Sequence, residues 1–204
     1  MVEHDPWVGP DYGKVGTSLG EHRIAIVGYA HWRKGWEDTD RLTRDCICKL
    51  ISGDLKMASL ARVRNCFGYN MHKGFWEQVI FFNYLPNCVE EEEWIGKGTP
   101  EQIMVAKPRF LHLIQKHRPS KVLIFTPKEK TADFPRPGNK HQSIQGFPKF
   151  KWGTYSVGDH SASAFFLRRP RRSDVERPRP VVKHILDLPN VSIDPIQPIG
   201  LGGP

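Results

Sequence analysis

The chain has 204 residues, 39% of them apolar and 25% charged, with a formal net charge of +8. That length can bury one substantial core, and the composition reads as soluble and globular with Pro and Gly concentrated in loops. No run approaches the roughly 18 apolar residues of a membrane span. The opening MVEHDPWVGPDYGKVG has no basic segment followed by an apolar one, so no secretory leader is expected. The positive balance favours an anionic partner, nucleic acid first, because neutralising phosphates releases counterions. Cys46, Cys48, Cys66 and Cys88 suit a reducing, cytoplasmic setting. Cys46 and Cys48 form C-x-C rather than the C-x-x-C knuckle of metal sites, so neither disulfides nor a metal is expected.

Residues 1–22 read as an irregular Gly- and Pro-rich arm. Arg23 to Gly28 (RIAIVG) is a β-branched apolar run, the pattern of a strand buried on both faces. Residues 29–40 read as a loop rich in aromatic and charged residues. Thr39 or Asp40 is the expected cap of a helix through Ile51, with Leu42, Cys46 and Leu50 on one face and Ser52-Gly53 as its stop. A second helix is expected within Leu55–Asn65, and a short turn or helix at Phe75–Gln78. Val79 to Asn83 is the second buried strand, and it ends in a polar residue. Residues 87–98 are a polar loop containing Glu90 to Glu93, read as solvated.

Thr99-Pro100-Glu101-Gln102 is a capping box with proline at the first helical position. Ile103, Ala106, Phe110 and Ile114 continue as one stripe, so the helix is expected to kink at Pro108 and to end at Arg118-Pro119. Lys121 to Thr126 (KVLIFT) is the third strand. Residues 127–153 are expected to be loops with one short helix near Lys128–Asp133. Thr154 to Val157 is the expected fourth strand, leading into Gly158-Asp159-His160-Ser161. Six arginines fall within residues 168–179, Val181–Leu186 is a helix or strand, and 189–204 is an extended tail. The folded domain is thus expected over residues 23–188. The unit from Phe81 to Phe125 places Asn83 at the carboxyl end of a sheet strand, where open α/β folds put ligands. Its amide both donates and accepts, so it can read a nucleobase edge.

Four landmarks stand in order: a strand ending in Gly28-Tyr29-Ala30-His31, a strand ending in Asn83, the TPEQ helix with its RPSKVLIF strand, and a strand before His160-Ser161. Over about residues 23–170 this layout resembles the uracil-DNA glycosylase superfamily, closest to its family-4-like branch and uncharacterised bacterial relatives. The resemblance implies an α/β fold, a three-layer α/β/α sandwich around a central four-stranded, mostly parallel sheet. It implies a monofunctional enzyme of DNA repair that flips uracil or another deaminated base out of DNA and hydrolyses its N-glycosidic bond. Asn83 would read the base. His160 would stabilise the departing anion, a task worth about 3 to 4 kcal/mol for one well-aimed donor. Trp36, then Trp32, would stack on the base, worth about 1 to 3 kcal/mol. Arg168, Arg169, Arg171 and Arg172 would grip the DNA backbone, with Phe165 and Phe166 as an apolar wedge.

The pattern is incomplete. Tyr29 and Ala30 stand where relatives carry a water-activating carboxylate, leaving Tyr29 or His31 to position water, with Glu37 or Asp38 in reach. His160-Ser161-Ala162 replaces His-Pro-Ser. Family-4-like members hold an iron–sulfur cluster through cysteines near the N-terminus. No cysteine precedes Cys46 here, so no cluster and no cofactor is expected, although Cys88 lies near one ligand position. The alternative is a non-catalytic nucleic-acid binder on the same scaffold. A third reading, an enzyme acting on a free nucleotide, lacks any glycine-rich phosphate loop.

Overall fold

A computed structural model describes residues 2–31, 37–89, 98–138, 142–144, 146–170 and 178–190. Buried apolar runs and amphipathic stretches alternate along the chain, and they fold as alternating strands and helices of the α/β class. The strands are β1 (Trp7–Val8), β2 (Ile24–Gly28), β3 (Ile80–Asn83), β4 (Lys121–Thr126), β5 (Gln142–Ile144), β6 (Phe147–Val157) and β7 (His160–Arg168). They form one sheet in the order β1-β3-β2-β4-β7-β6-β5. The pairs β3/β2, β2/β4 and β4/β7 are parallel. The pairs β1/β3, β7/β6 and β6/β5 are antiparallel. The expectation of a four-stranded sheet was therefore too small, because antiparallel strands extend it at both edges.

The helices are α1 (Leu42–Ser52), α2 (Ala58–Cys66), α3 (Lys73–Trp76), α4 (Pro100–His117) and α5 (Pro178–Asp187). Successive side chains of a strand face opposite ways, so each buried strand feeds two cores. Ile24, Ile26, Leu123, Phe125, Phe165 and Leu167 pack with residues of α1, α2, α3 and α5, among them Ile47, Val63, Trp76 and Ile185. Ala25, Val27, Val122, Ile124, Ala164 and Phe166 pack with Ala106, Phe110 and Ile114 of α4. Phe165 and Phe166 are thus core residues on opposite faces of β7 rather than a wedge for DNA. Among the described residues no helix is long and apolar enough to cross a membrane.

The Thr99–Gln102 capping box forms as expected, with Thr99 Oγ1 accepting from the Gln102 amide at 3.2 Å and Gln102 Oε1 accepting from the Thr99 amide at 2.8 Å. α4 then runs through Pro108. Neither Thr39 nor Asp40 caps α1. The Leu42 amide instead donates to the Thr39 carbonyl at 3.1 Å, a turn that starts the helix at Leu42. Gly53 ends it with φ at 89°, a left-handed conformation that favours glycine.

Two regions depart further from expectation. The N-terminal arm supplies edge strand β1 and a 3-10 turn at Gly20–His22. Residues 127–153 contain the expected short helix, a 3-10 turn at Lys128–Asp133, but also β5 and most of β6. The expected fourth strand, Thr154–Val157, is the end of β6 and runs against β7. The strand that completes the parallel set is β7.

Chain direction now positions the site. β3 lies on one side of β2 and β4 on the other. The β2–β3 connection passes through α1, α2 and α3, and the β3–β4 connection through α4 on the opposite face. Such a reversal opens a crevice at the carboxyl ends of the strands that flank it, here β2 and β4.

Candidate functional site

A cavity of about 650 Å³ occupies that crevice, within the size range of small-molecule sites. Ile26, Phe81 and Phe125 of the sheet form its apolar floor, and Leu42, Cys46, Leu60 and Val63 of α1 and α2 form a wall. The polar groups come from strand ends: Gly28 to His31 after β2, Asn83 from β3, Glu129 and Lys130 after β4, and Arg169 after β7.

Asn83 is the last residue of β3 and pairs in register with Gly28. Its backbone carbonyl accepts from Arg109 Nη1 at 2.9 Å. Its side-chain amide lies over Gly28, where an added Cβ would stand 2.2 Å from Asn83 Oδ1. Among the described residues that amide has no hydrogen-bond partner, although Asn83 is only 5% exposed. A donor–acceptor pair held at the edge of a sheet and open to a cavity is the arrangement that reading a ligand requires.

The strands continue to run together beyond the sheet. Tyr84 N donates to Gly28 O at 3.0 Å, Leu85 N to Tyr29 O at 2.9 Å, and Val89 N to His31 O at 2.9 Å. This ladder turns Tyr29 toward the Lys128–Asp133 turn, where its hydroxyl donates to Asp133 Oδ2 at 2.5 Å. Burial and the Asp133 carboxylate push the Tyr29 phenol well above its ordinary range. Burial, with His4 nearby, pushes the His31 imidazole down to about 3. Its Nε2 lies 2.9 Å from Thr43 Oγ1. Neither Tyr29 nor His31 is a base at neutral pH, so each can orient water only by hydrogen bonding. Asp38 bonds His4 and does not line the cavity.

Among the described residues, Glu129 is the carboxylate that does line it. Lys130 stands beside it, with Nζ 5.1 Å above the Tyr29 ring, a cation–π contact. Arg169 follows β7 in a segment anchored by Arg62, whose Nη1 donates to Pro170 O at 3.1 Å. Partial burial and the like charge of Arg62 lower the Arg169 guanidinium, which still remains a cation. Cys46 is a thiol in this cavity, its ionisation pushed up to about 11 by burial, so it is a poor nucleophile.

The expected partner of Asn83 is elsewhere. His160 opens β7, and β7 runs parallel to β4 with Ser163 opposite Lys121. Its ring therefore sits at the amino-terminal edge of the sheet, the edge away from Asn83, where Nε2 donates to Pro119 O at 2.8 Å. The correction has a physical origin: Gly158 and Asp159 turn an antiparallel hairpin, so the chain reverses before His160 rather than after it. His160→Ala should cost about 1 kcal/mol for that hydrogen bond and leave ligand binding in the cavity unchanged. Urea unfolding beside a titration of ligand would show both.

Tyr29, His31, Asn83 and Arg169 thus come together, and His160 does not join them. Arg168 ends β7 and is exposed. Trp32, Trp36, Arg171 and Arg172 lie outside the described residues. Glu129, Lys130 and Asp133 had been given no role. They follow the carboxyl end of KVLIFT, and the strand-end rule applied to Asn83 points to them equally. No protein-family model matches the chain and no curated protein matches it, so the resemblance to the glycosylases rests on this chain's own motifs.

Proposed function

We propose that the chain is a DNA glycosylase of the uracil or deaminated-base class, with the β2–β4 crevice as its base pocket. In this proposal β3, β2, β4 and β7 are the four-stranded parallel core of an α/β/α glycosylase sandwich. The observation that carries it is the Asn83 amide, open to a cavity large enough to admit a flipped nucleotide and held over a glycine that leaves room for it. Asn83 pairs with the base edge, and Phe81 and Phe125 supply an apolar floor. Lys130 and Arg169 supply positive charge against the anion that leaves when the glycosidic bond breaks. Glu129 holds the water that attacks the sugar carbon and takes its proton. Arg169 and Arg62, two cations side by side, suit a phosphate of the flanking backbone.

The test is incubation with oligonucleotides carrying uracil, hypoxanthine or xanthine, followed by alkali to cleave any abasic site. Alkali-dependent cleavage by the parent protein and none by Asn83→Ala is the expected result. A second reading, a nucleic-acid binder without catalysis, is favoured by one observation: Tyr29, His31 and Asp38 offer neither a free carboxylate nor a basic imidazole, which leaves the exposed Glu129 alone to activate water. Salt-sensitive binding of every oligonucleotide with no abasic product would establish that reading instead.

A further inference from the structure

Away from the cavity, three side chains that sequence spacing does not connect meet at one point. His4 of the arm, Asp38 before α1 and Cys88 after β3 each present a ligand atom, and these atoms lie within 4.8 Å of one another. His4 is 2% exposed and Cys88 7%. Asp38 is 22% exposed by side chain and faces water. His4 Nε2 lies 2.6 Å from Asp38 Oδ1, and the Cys88 amide donates to the same oxygen at 3.4 Å.

We infer that His4, Asp38 and Cys88 form a three-ligand zinc site that pins the N-terminal arm to the loops following β2 and β3. Two considerations carry this. An imidazole, a carboxylate and a thiol are a donor set that zinc takes, being borderline-soft and indifferent to ligand-field geometry. Zinc bonds of about 2.0 to 2.3 Å space tetrahedral ligand atoms by roughly 3.3 to 3.8 Å, so the three need shifts of only about 1 Å to close on an ion.

Binding releases the Cys88 thiol proton, so the thiolate, the Asp38 carboxylate and the neutral His4 ring all face the cation. Solvent reaches the fourth position from the Asp38 side. The arm already makes backbone bonds at this point, with His4 N donating to Pro86 O at 2.7 Å and Asp5 N to Asp40 O at 2.7 Å. The His31 ring meets His4 edge-on, with centroids 5.3 Å apart. Zinc would therefore also steady one wall of the cavity, whatever reaction the cavity performs.

Cobalt(II) added to the full-length, chelator-stripped chain tests the site. One equivalent should give the intense near-ultraviolet absorption of a thiolate–cobalt bond together with visible bands of a tetrahedral ion, and zinc should abolish both. The absorption should persist in Cys48→Ser, whose thiol is exposed, and disappear in Cys88→Ser and His4→Ala. A parent without this absorption overturns the site, as does a Cys88→Ser protein that retains it. Should the variants fail to fold, alkylation of the parent decides. Faster modification of Cys88 after chelation of zinc-loaded protein supports the site, and equal rates with and without chelator overturn it.

Discussion

If the proposed base excision is the activity, Gly28→Ala should lower it by about 100- to 1,000-fold, the loss expected when one aimed hydrogen-bonding group is displaced, while leaving the fold nearly as stable as before. The new Cβ would stand 2.2 Å from Asn83 Oδ1, with its next contacts at 3.4 Å to Asn83 Cγ and 3.7 Å to Phe81. Only the end of one side chain has to move, and it can turn into the cavity. The overpacking cost should therefore stay near 1 kcal/mol, partly offset by the stiffer unfolded chain that alanine gives. Thermal unfolding beside the alkali-cleavage assay separates these effects. Full activity in a normally stable Gly28→Ala protein would sink the role given to the Asn83 amide.

Arg109→Ala should be the costliest single substitution near the site, at roughly 2 to 6 kcal/mol, because it leaves two buried carbonyls unpaired. Arg109 is 6% exposed and reaches three acceptors at once. Its Nε donates to Glu3 Oε1 at 2.9 Å, Nη1 to Asn83 O at 2.9 Å and Nη2 to His4 O at 2.5 Å. Truncation strands two buried carbonyls, each costing roughly 1 to 3 kcal/mol. Glu3, 58% exposed by side chain, simply returns to water and adds little. Lysine retains the charge but not the fork that spans three acceptors, so Arg109→Lys should fall between the two. Denaturant midpoints for the three proteins test this, and a loss below about 1 kcal/mol for alanine would show that the guanidinium does not hold the arm.

The parts of this fold legible in the sequence are those fixed by local chemistry. RIAIVG, VIFFN and KVLIFT read as buried strands because a strand covered on both faces needs unbroken apolar residues. α4 was legible from Thr99 and Gln102 because a helix start leaves amides that only nearby acceptors can satisfy. Asn83 stood out as a polar residue closing an apolar run. β6 was not legible: a strand with one solvated face alternates apolar and polar residues, and Pro148 and Gly153 break that alternation in FPKFKWGTYSV. Strand direction was the larger difficulty. Nothing within Thr154–Val157 states whether it runs with or against β4, so His160 was assigned to the wrong edge of the sheet. The meeting of His4, Asp38 and Cys88 is likewise a product of topology, joining positions 34 and 50 residues apart.

Strand β1 is two residues long, and it covers the first half of the outer flank of β3 through the pairs Trp7–Phe81 and Val8–Ile80. Trp7 Nε1 fastens it by donating to Trp76 O at 2.8 Å. Without that cover, Ile80 and Phe81 would present unmet backbone donors and acceptors at a sheet edge, the template on which separate molecules zip together. The arm thus caps one sheet edge and, through the bond of Arg109 to His4 O, is tied to the strand that carries Asn83.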